Sequence, residues 1–279
     1  MINYNGTIQA SETKISNSNR SFLFGDGVFE TLKIVNGKIL FLEDHYFRLM
    51  ASMRIVRMEI PMNFTLEYIE NQVLLLVEQL EISDSARVRF TVFRNEGGFY
   101  APQTNEISYL IQATALENKK YFFSSKVYEV ELYKDNLITK QLLSTLKTTS
   151  KIIQVTASVF AKENDFNSCL MMNDSKNVIE AISGNIFMLS NNVLSTPPIS
   201  EGCLNGIMRK QLLALAKFFP NIEFKEAIIS PFDLQKADEL FVTNVIKGIQ
   251  PITRYRKKDF DTKFAESLLN KVNETFKIN

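Results

Sequence analysis

Histidine and cysteine are scarce in this chain: one histidine and two cysteines stand among 279 residues. A single histidine excludes zinc sites built on two or three histidines and leaves only His45 for a Ser-His-Asp triad. Cys169 and Cys203 lie far apart, with no close-spaced thiol pair. That excludes a disulfide framework and a structural zinc site, and it fits a reducing cytoplasm. Charge of neither sign is in excess, with 32 lysines and arginines against 31 aspartates and glutamates. Such a chain lacks the basic field that nucleic acid or an anionic membrane requires, and neither is expected as a partner. No apolar run nears the ~20 residues of a membrane span. The start MINYNGTIQASE lacks the basic and apolar regions of a secretory signal. A cytoplasmic location is expected.

What is present describes an ordinary globular protein, 45% apolar and 23% charged, long enough for one large domain or two of usual size. In the first part, short runs rich in β-branched and aromatic residues (TLKIV, RVRFTVF, ISYLIQATAL) read as strands. Residues 43–57 and 64–81 carry helical periodicity. His45 falls in the first of these helices, where a packed or half-exposed role is the default. The polar stretch ENKKYFFSSK marks a boundary. This gives a smaller N-terminal domain over 1–117, a linker over 118–125 and a larger C-terminal domain over 126–279. In the second part a helix is expected from about Thr149 to Lys162, then strands in SCLMMN, NIFMLS and NVLSTPP. Asn205 is placed to cap a helix through Phe219. The strand ELFVTN precedes a loop, VIKGIQPI, and an amphipathic helix begins near Thr262. The fold class is α+β (mixed α/β) in two domains.

Four stretches could carry chemistry. In SEGCLNGIMRK, glycines 202 and 206 flank a helix start whose exposed N–H groups suit an anion, although on this stretch alone an ordinary glycine-containing cap is the favoured reading. In KNVIEAISGNIFML, Glu180 interrupts a half-buried run. An unpaired carboxylate there would cost several kcal/mol, so it either faces solvent or meets a cation. In SFLFGDGVFETLKI, the Gly-Asp-Gly step indicates a tight turn and lacks the lysine and hydroxyl of a phosphate loop. Finally, LLSTLKTTSKIIQV holds Lys147 and Lys151, either of which could be an active-site amine.

The order and spacing of these stretches are more specific than any one of them. Through NRSFLFGDGVFETLKIVNGKILFLEDHYFRL, LKTTSKIIQV, VIEAISGNIF, TPPISEGCLNGIMR and DELFVTNVIKGIQPI, residues 1–255 resemble the fold-type IV pyridoxal-phosphate enzymes, the class IV aminotransferase family. The resemblance implies pyridoxal 5'-phosphate as cofactor. It makes Lys147, just before a helix, the Schiff-base lysine and proton-moving base. Lys151 becomes a solvated helix residue. Glu180 takes the place of the carboxylate that pairs with the pyridinium nitrogen. The phosphate is expected on the N–H groups of Gly206, Ile207 and Met208 with Arg48 as cationic partner. Leu204 is expected against the ring face and Asn244 in the loop over the phosphate. Phe29 and Arg94 are the substrate-side candidates, and a homodimer is implied.

Within the family, the tyrosine of the branched-chain enzymes is replaced by Ile152, and Arg94 lacks the Arg-x-His partner of the D-amino-acid enzymes. NGIMR, the loop after Asn244, and Arg94 followed by Gly97, Gly98 and Tyr100 are closer to the 4-amino-4-deoxychorismate lyases. That activity is the expectation, with an amino-acid aminotransferase or a cofactor-binding protein without turnover as alternatives.

Overall fold

In a computed structural model of the chain, residues 1–11, 14–124 and 126–278 are described. Ser125, in the expected linker, lies outside them. The architecture is mixed α/β, with two sheets and six α-helices among the described residues. Two compact units form: residues 1–119 with 146–150, and residues 120–145 with 151–279.

The first unit is a wholly antiparallel sheet. Its strands are β1 (Ile2–Tyr4), β2 (Thr7–Gln9), β3 (Gly27–Val35), β4 (Lys38–Ile39), β5 (Ser85–Arg94) and β6 (Ile107–Ala115), in the order β2-β1-β6-β5-β3-β4. A short helix α1 (Arg20–Phe24) precedes β3, and α2 (Leu42–Ile55) and α3 (Leu66–Gln79) follow β4. Thr65 begins α3 by accepting the Tyr68 N–H on its hydroxyl, the hydrogen bond expected of a Thr cap. Ile69, Val73, Leu76 and Val77 recur at helical spacing and are buried with Val28, Leu32, Val88, Phe90 and Val92 of the sheet. One sheet face is thus the core, and strand alternation leaves Phe29, Arg89 and Thr91 on the other.

The second unit holds β7 (Glu129–Ile138), α4 (Ile152–Glu163), β8 (Ser168–Asn173), β9 (Val178–Ala181), β10 (Gly184–Ser190), β11 (Val193–Thr196), α5 (Ile207–Ala214), β12 (Glu223–Glu226), β13 (Glu239–Asn244), β14 (Gly248–Ile252), β15 (Arg254–Tyr255), β16 (Lys258–Asp259) and α6 (Lys263–Thr275). The main path runs β12-β11-β10-β9-β8-β7-β15-β16, with β13 joining β10 to β14. Glu239 accepts the N–H groups of Phe264 and Ala265 and so caps α6, a carboxylate on a helix start.

Two expectations are corrected and one strand is added. VIKGIQPI is a loop only over 245–247, because Gly248–Ile252 pairs antiparallel with β13. Pro251 fits there since β14 pairs with no strand other than β13 among the described residues, and an edge strand can forgo one N–H. The strand β7 went unread because its charged residues mask the alternation. The cap of α5 is Gly206 rather than Asn205, and no side chain hydrogen-bonds there.

Candidate active site

Lys147 is anchored by its backbone to β3. The Phe29 N–H donates to the Lys147 carbonyl at 2.8 Å, and the Thr149 N–H donates to the Gly27 carbonyl at 2.9 Å. Thr148 between them bridges Val28. Held on both sides, the lysine projects its amine to 4.5 Å from the Phe29 ring centroid. The Arg89 guanidinium carbon stands 3.6 Å from the same centroid, so one buried aromatic ring carries two cations. Lys151 instead occupies the residue before α4 and is half-buried.

Arg89 is a residue that the sequence did not single out. It donates through Nε to Thr91 Oγ1 at 3.2 Å. It lines a cavity of about 500 Å³ with Asn17, Asn19, Ser21, Thr91 and Thr149. Its only sequence signal was its strand face, two residues before Thr91, where an arginine usually means solvent.

Arg48 makes a two-pronged contact with Glu30: Nε donates to Oε1 at 2.7 Å and Nη2 to Oε2 at 2.5 Å. His45, one helical turn away, places Nδ1 2.7 Å from Glu30 Oε2. Burial alone would raise the Glu30 carboxyl. The Arg48 charge and the hydrogen bonds from His45 and Arg48 outweigh it and hold the group at about 2. A carboxylate can only accept, so His45 carries its proton on Nδ1.

Arg94 corrects an expectation. It is 6% exposed, and its donors go to Asp26 Oδ2, the carbonyls of Arg57 and Val56, and the Asn105 side chain. Arg20 grips the same Asp26 oxygen at 2.9 Å and donates to the Gly97 and Phe99 carbonyls. The Asp of the Gly-Asp-Gly step is therefore a hub for two buried arginines. Arg94 holds loops together, with Nε, Nη1 and Nη2 all engaged by protein acceptors.

In the second unit, Glu180 is 7% exposed, against the solvent-facing alternative. Its Oε2 accepts the Leu204 N–H at 2.8 Å, and Asn185 Nδ2 donates to the Leu204 carbonyl at 2.8 Å. The backbone of Leu204 is thus held on both sides, through its N–H and its carbonyl, and Asn185 is a further residue that the sequence did not reveal. Gly206 follows. A Cβ there would stand 1.9 Å from Asn185 Oδ1, so only glycine admits this approach. The helix start that it opens carries the N–H groups of Ile207 and Met208, whose side chains are buried. Asn244 accepts the N–H groups of Ile246 and Lys247, so its amide oxygen shapes the turn after β13.

Lys147, Phe29, Arg89, Arg48 and Glu30 belong to the first unit. Glu180, Leu204, Gly206, Ile207, Met208 and Asn244 belong to the second. A buried carboxylate, an uncapped glycine helix start and an amine pinned over an aromatic ring suit a ring-nitrogen cation, a phosphate and an aldehyde respectively.

The family model for amino-transferase class IV matches residues 27–255, and the chain belongs to that family of pyridoxal 5'-phosphate enzymes. A Methanocaldococcus jannaschii protein, provisionally named a branched-chain-amino-acid aminotransferase, is 26% identical over 272 residues, 97% of this chain and 92% of its own length. A D-alanine aminotransferase of Staphylococcus aureus is 26% identical over 254 residues, 88% and 86% of the two chains. Among solved structures, a 4-amino-4-deoxychorismate lyase of Pseudomonas aeruginosa has the same fold, with a TM-score of 0.84 at 21% identity over 98% of both chains. Among the described residues no helix is long and apolar enough to cross a membrane.

Proposed function

We propose that the chain is a 4-amino-4-deoxychorismate lyase, releasing pyruvate to leave 4-aminobenzoate. The observation that supports this reading is the engagement of Arg94 with Asp26 and three other acceptors. The position from which a D-amino-acid enzyme clamps its substrate carboxylate is committed to loop structure, and Glu96 stands where the histidine of that clamp would be. Arg89, which packs on Phe29 and lines the cavity, is the cation assigned to a substrate carboxylate.

Lys147, Arg48, Glu180, the Leu204 peptide and the N–H groups of Gly206, Ile207 and Met208 are the residues that would hold the cofactor. When bound, pyridoxal 5'-phosphate takes the substrate's amino group and accepts electrons from the carbon beside it. The Lys147 amine removes the proton from the ring carbon bearing that nitrogen. The ether bond to the enolpyruvyl group breaks and the ring becomes aromatic. Lys147 returns a proton to the methylene carbon of the departing group, giving pyruvate. Arg89 orients the substrate by its carboxylate, and Phe29 supports both cations.

An amino-acid aminotransferase is the second reading, favoured by the names of the 26%-identical relatives. The holoprotein is offered 4-amino-4-deoxychorismate without a keto acid, and separately D-alanine or L-leucine with one. Equal amounts of pyruvate and 4-aminobenzoate in the first mixture support the lyase. Amino transfer in the second, with no pyruvate in the first, replaces it with the aminotransferase.

A further inference from the structure

Glu30 has the wrong charge for its surroundings if Arg48 is to meet a phosphate. It is 2% exposed, and it places a carboxylate against the arginine assigned to a dianion. Desolvating such a group costs several kcal/mol unless its contacts compensate. A simple anion site would omit it. What Glu30 does provide is geometry: two parallel bonds to one edge of Arg48, at 2.7 and 2.5 Å. A guanidinium has five donors in a fixed plane, so fastening one edge fixes the direction of the others.

His45 completes the arrangement. It stands three residues before Arg48 on α2 and is 1% exposed. It donates from Nδ1 to Glu30 Oε2 at 2.7 Å, while its Nε2 meets no hydrogen-bond partner among the described residues. A buried nitrogen without a partner costs free energy, so the contact made by the other nitrogen has to offset it. Here that contact is to Glu30 Oε2, the same carboxylate oxygen that Arg48 Nη2 engages, so the imidazole and the fork hold one group together. The Arg48 carbonyl in turn accepts the Ser52 hydroxyl at 2.8 Å.

We infer that Glu30 and His45 are positioning residues, which fix the plane of Arg48 so that it meets the cofactor phosphate. The inference rests on the assignment of Arg48 to that phosphate. It departs from a purely electrostatic account, in which Glu30 weakens the site and its removal strengthens phosphate binding.

The test uses the full chain freed of cofactor and titrated with pyridoxal 5'-phosphate and with pyridoxal, which lacks the phosphate. The ratio of the two affinities reads the phosphate contact and is unmoved by general loosening of the fold. Arg48→Gln is expected to lower the ratio tenfold or more. Glu30→Gln and His45→Gln should lower it several-fold with pyridoxal affinity kept, and Glu30→Gln should add nothing in the Arg48→Gln background. Glu30→Asp keeps the charge but withdraws the fork by one methylene, so it should behave like Glu30→Gln. Tighter or unchanged phosphate-dependent binding in the Glu30 variants, or equal losses for both ligands, overturns the positioning role while Arg48 keeps its assignment. An unchanged ratio in Arg48→Gln removes the assignment itself, and the inference with it.

Discussion

The Lys147 amine lies 4.5 Å from the centroid of the Phe29 ring, and the Phe29 N–H is bonded to the Lys147 carbonyl. Backbone and side chain of one residue therefore both locate the other. Borohydride reduction of the holoprotein should fix the cofactor to the peptide containing Lys147. Recovery of the label on Lys151 would refute that attachment. Lys147→Ala should fold, hold the cofactor loosely and lose activity by several orders of magnitude.

Glu180 is tied to the Leu204 peptide and is the carboxylate assigned to the cofactor's ring nitrogen. Glu180→Gln preserves the shape and removes the charge. Turnover should fall at least tenfold while the cofactor stays attached to Lys147, as seen in its visible absorbance. Turnover within twofold of the parent would show that no ring cation depends on this carboxylate.

The fates of Glu180, Arg94 and Arg89 show where sequence reasoning reached and where it stopped. The major helices and most long strands follow from periodicity, and the family blocks pointed to Lys147 and to the α5 start. Whether Glu180 was buried could not be read locally, because its partner peptide lies 24 residues onward. Arg94 and Arg89 are two arginines of one strand, and only tertiary contacts separate them. Arg94 meets Asp26 across 68 residues, while Arg89 packs on Phe29 and also lines the cavity. The strand β14 was missed because a glycine and a proline read as a loop until an edge position excuses them.

Asp26 serves two buried arginines at once. Asp26→Asn leaves both without a counter-charge, and breaking a largely buried ion pair costs roughly 3 kcal/mol. Arg94→Gln should cost a similar amount. Denaturant unfolding measures both, and an Arg94→Gln protein of parental stability with a raised KM would return Arg94 to the substrate side.

Acid should weaken the fold through His45 and Glu30 together. Burial first, then the charges of Arg48 and Lys147, outweigh the pull of Glu30 and lower His45 below its usual 6.5. The unfolded chain thus takes up a proton that the folded chain refuses, and stability falls as pH drops below about 6.5. Glu30 acts in the same direction. The stability from its depressed pKa is present above 4.5 and is lost as pH falls toward about 2. Urea midpoints between pH 7 and 5 should decline in the parent and flatten in His45→Gln. Equal slopes in both proteins would place the titration elsewhere.

Arg89 offers the sharpest test of the lyase reading, because its proposed task is to bind and not to move protons. Its guanidinium lies 3.6 Å from the Phe29 centroid and its Nε is committed to Thr91. The remaining N–H groups are the donors assigned to a carboxylate. A hydrogen bond to a charged partner contributes about 1.5–3 kcal/mol, roughly ten- to a hundredfold in kcat/KM. Arg89→Gln should therefore raise KM for 4-amino-4-deoxychorismate by that factor, with kcat within a few-fold of the parent. Cofactor attachment at Lys147 should be unchanged, since the backbone bonds from Phe29 and Thr149 hold that lysine independently of Arg89. If kcat collapses instead while KM stays constant, the residue acts on the reacting atoms through Lys147, and the substrate carboxylate must be held by another group.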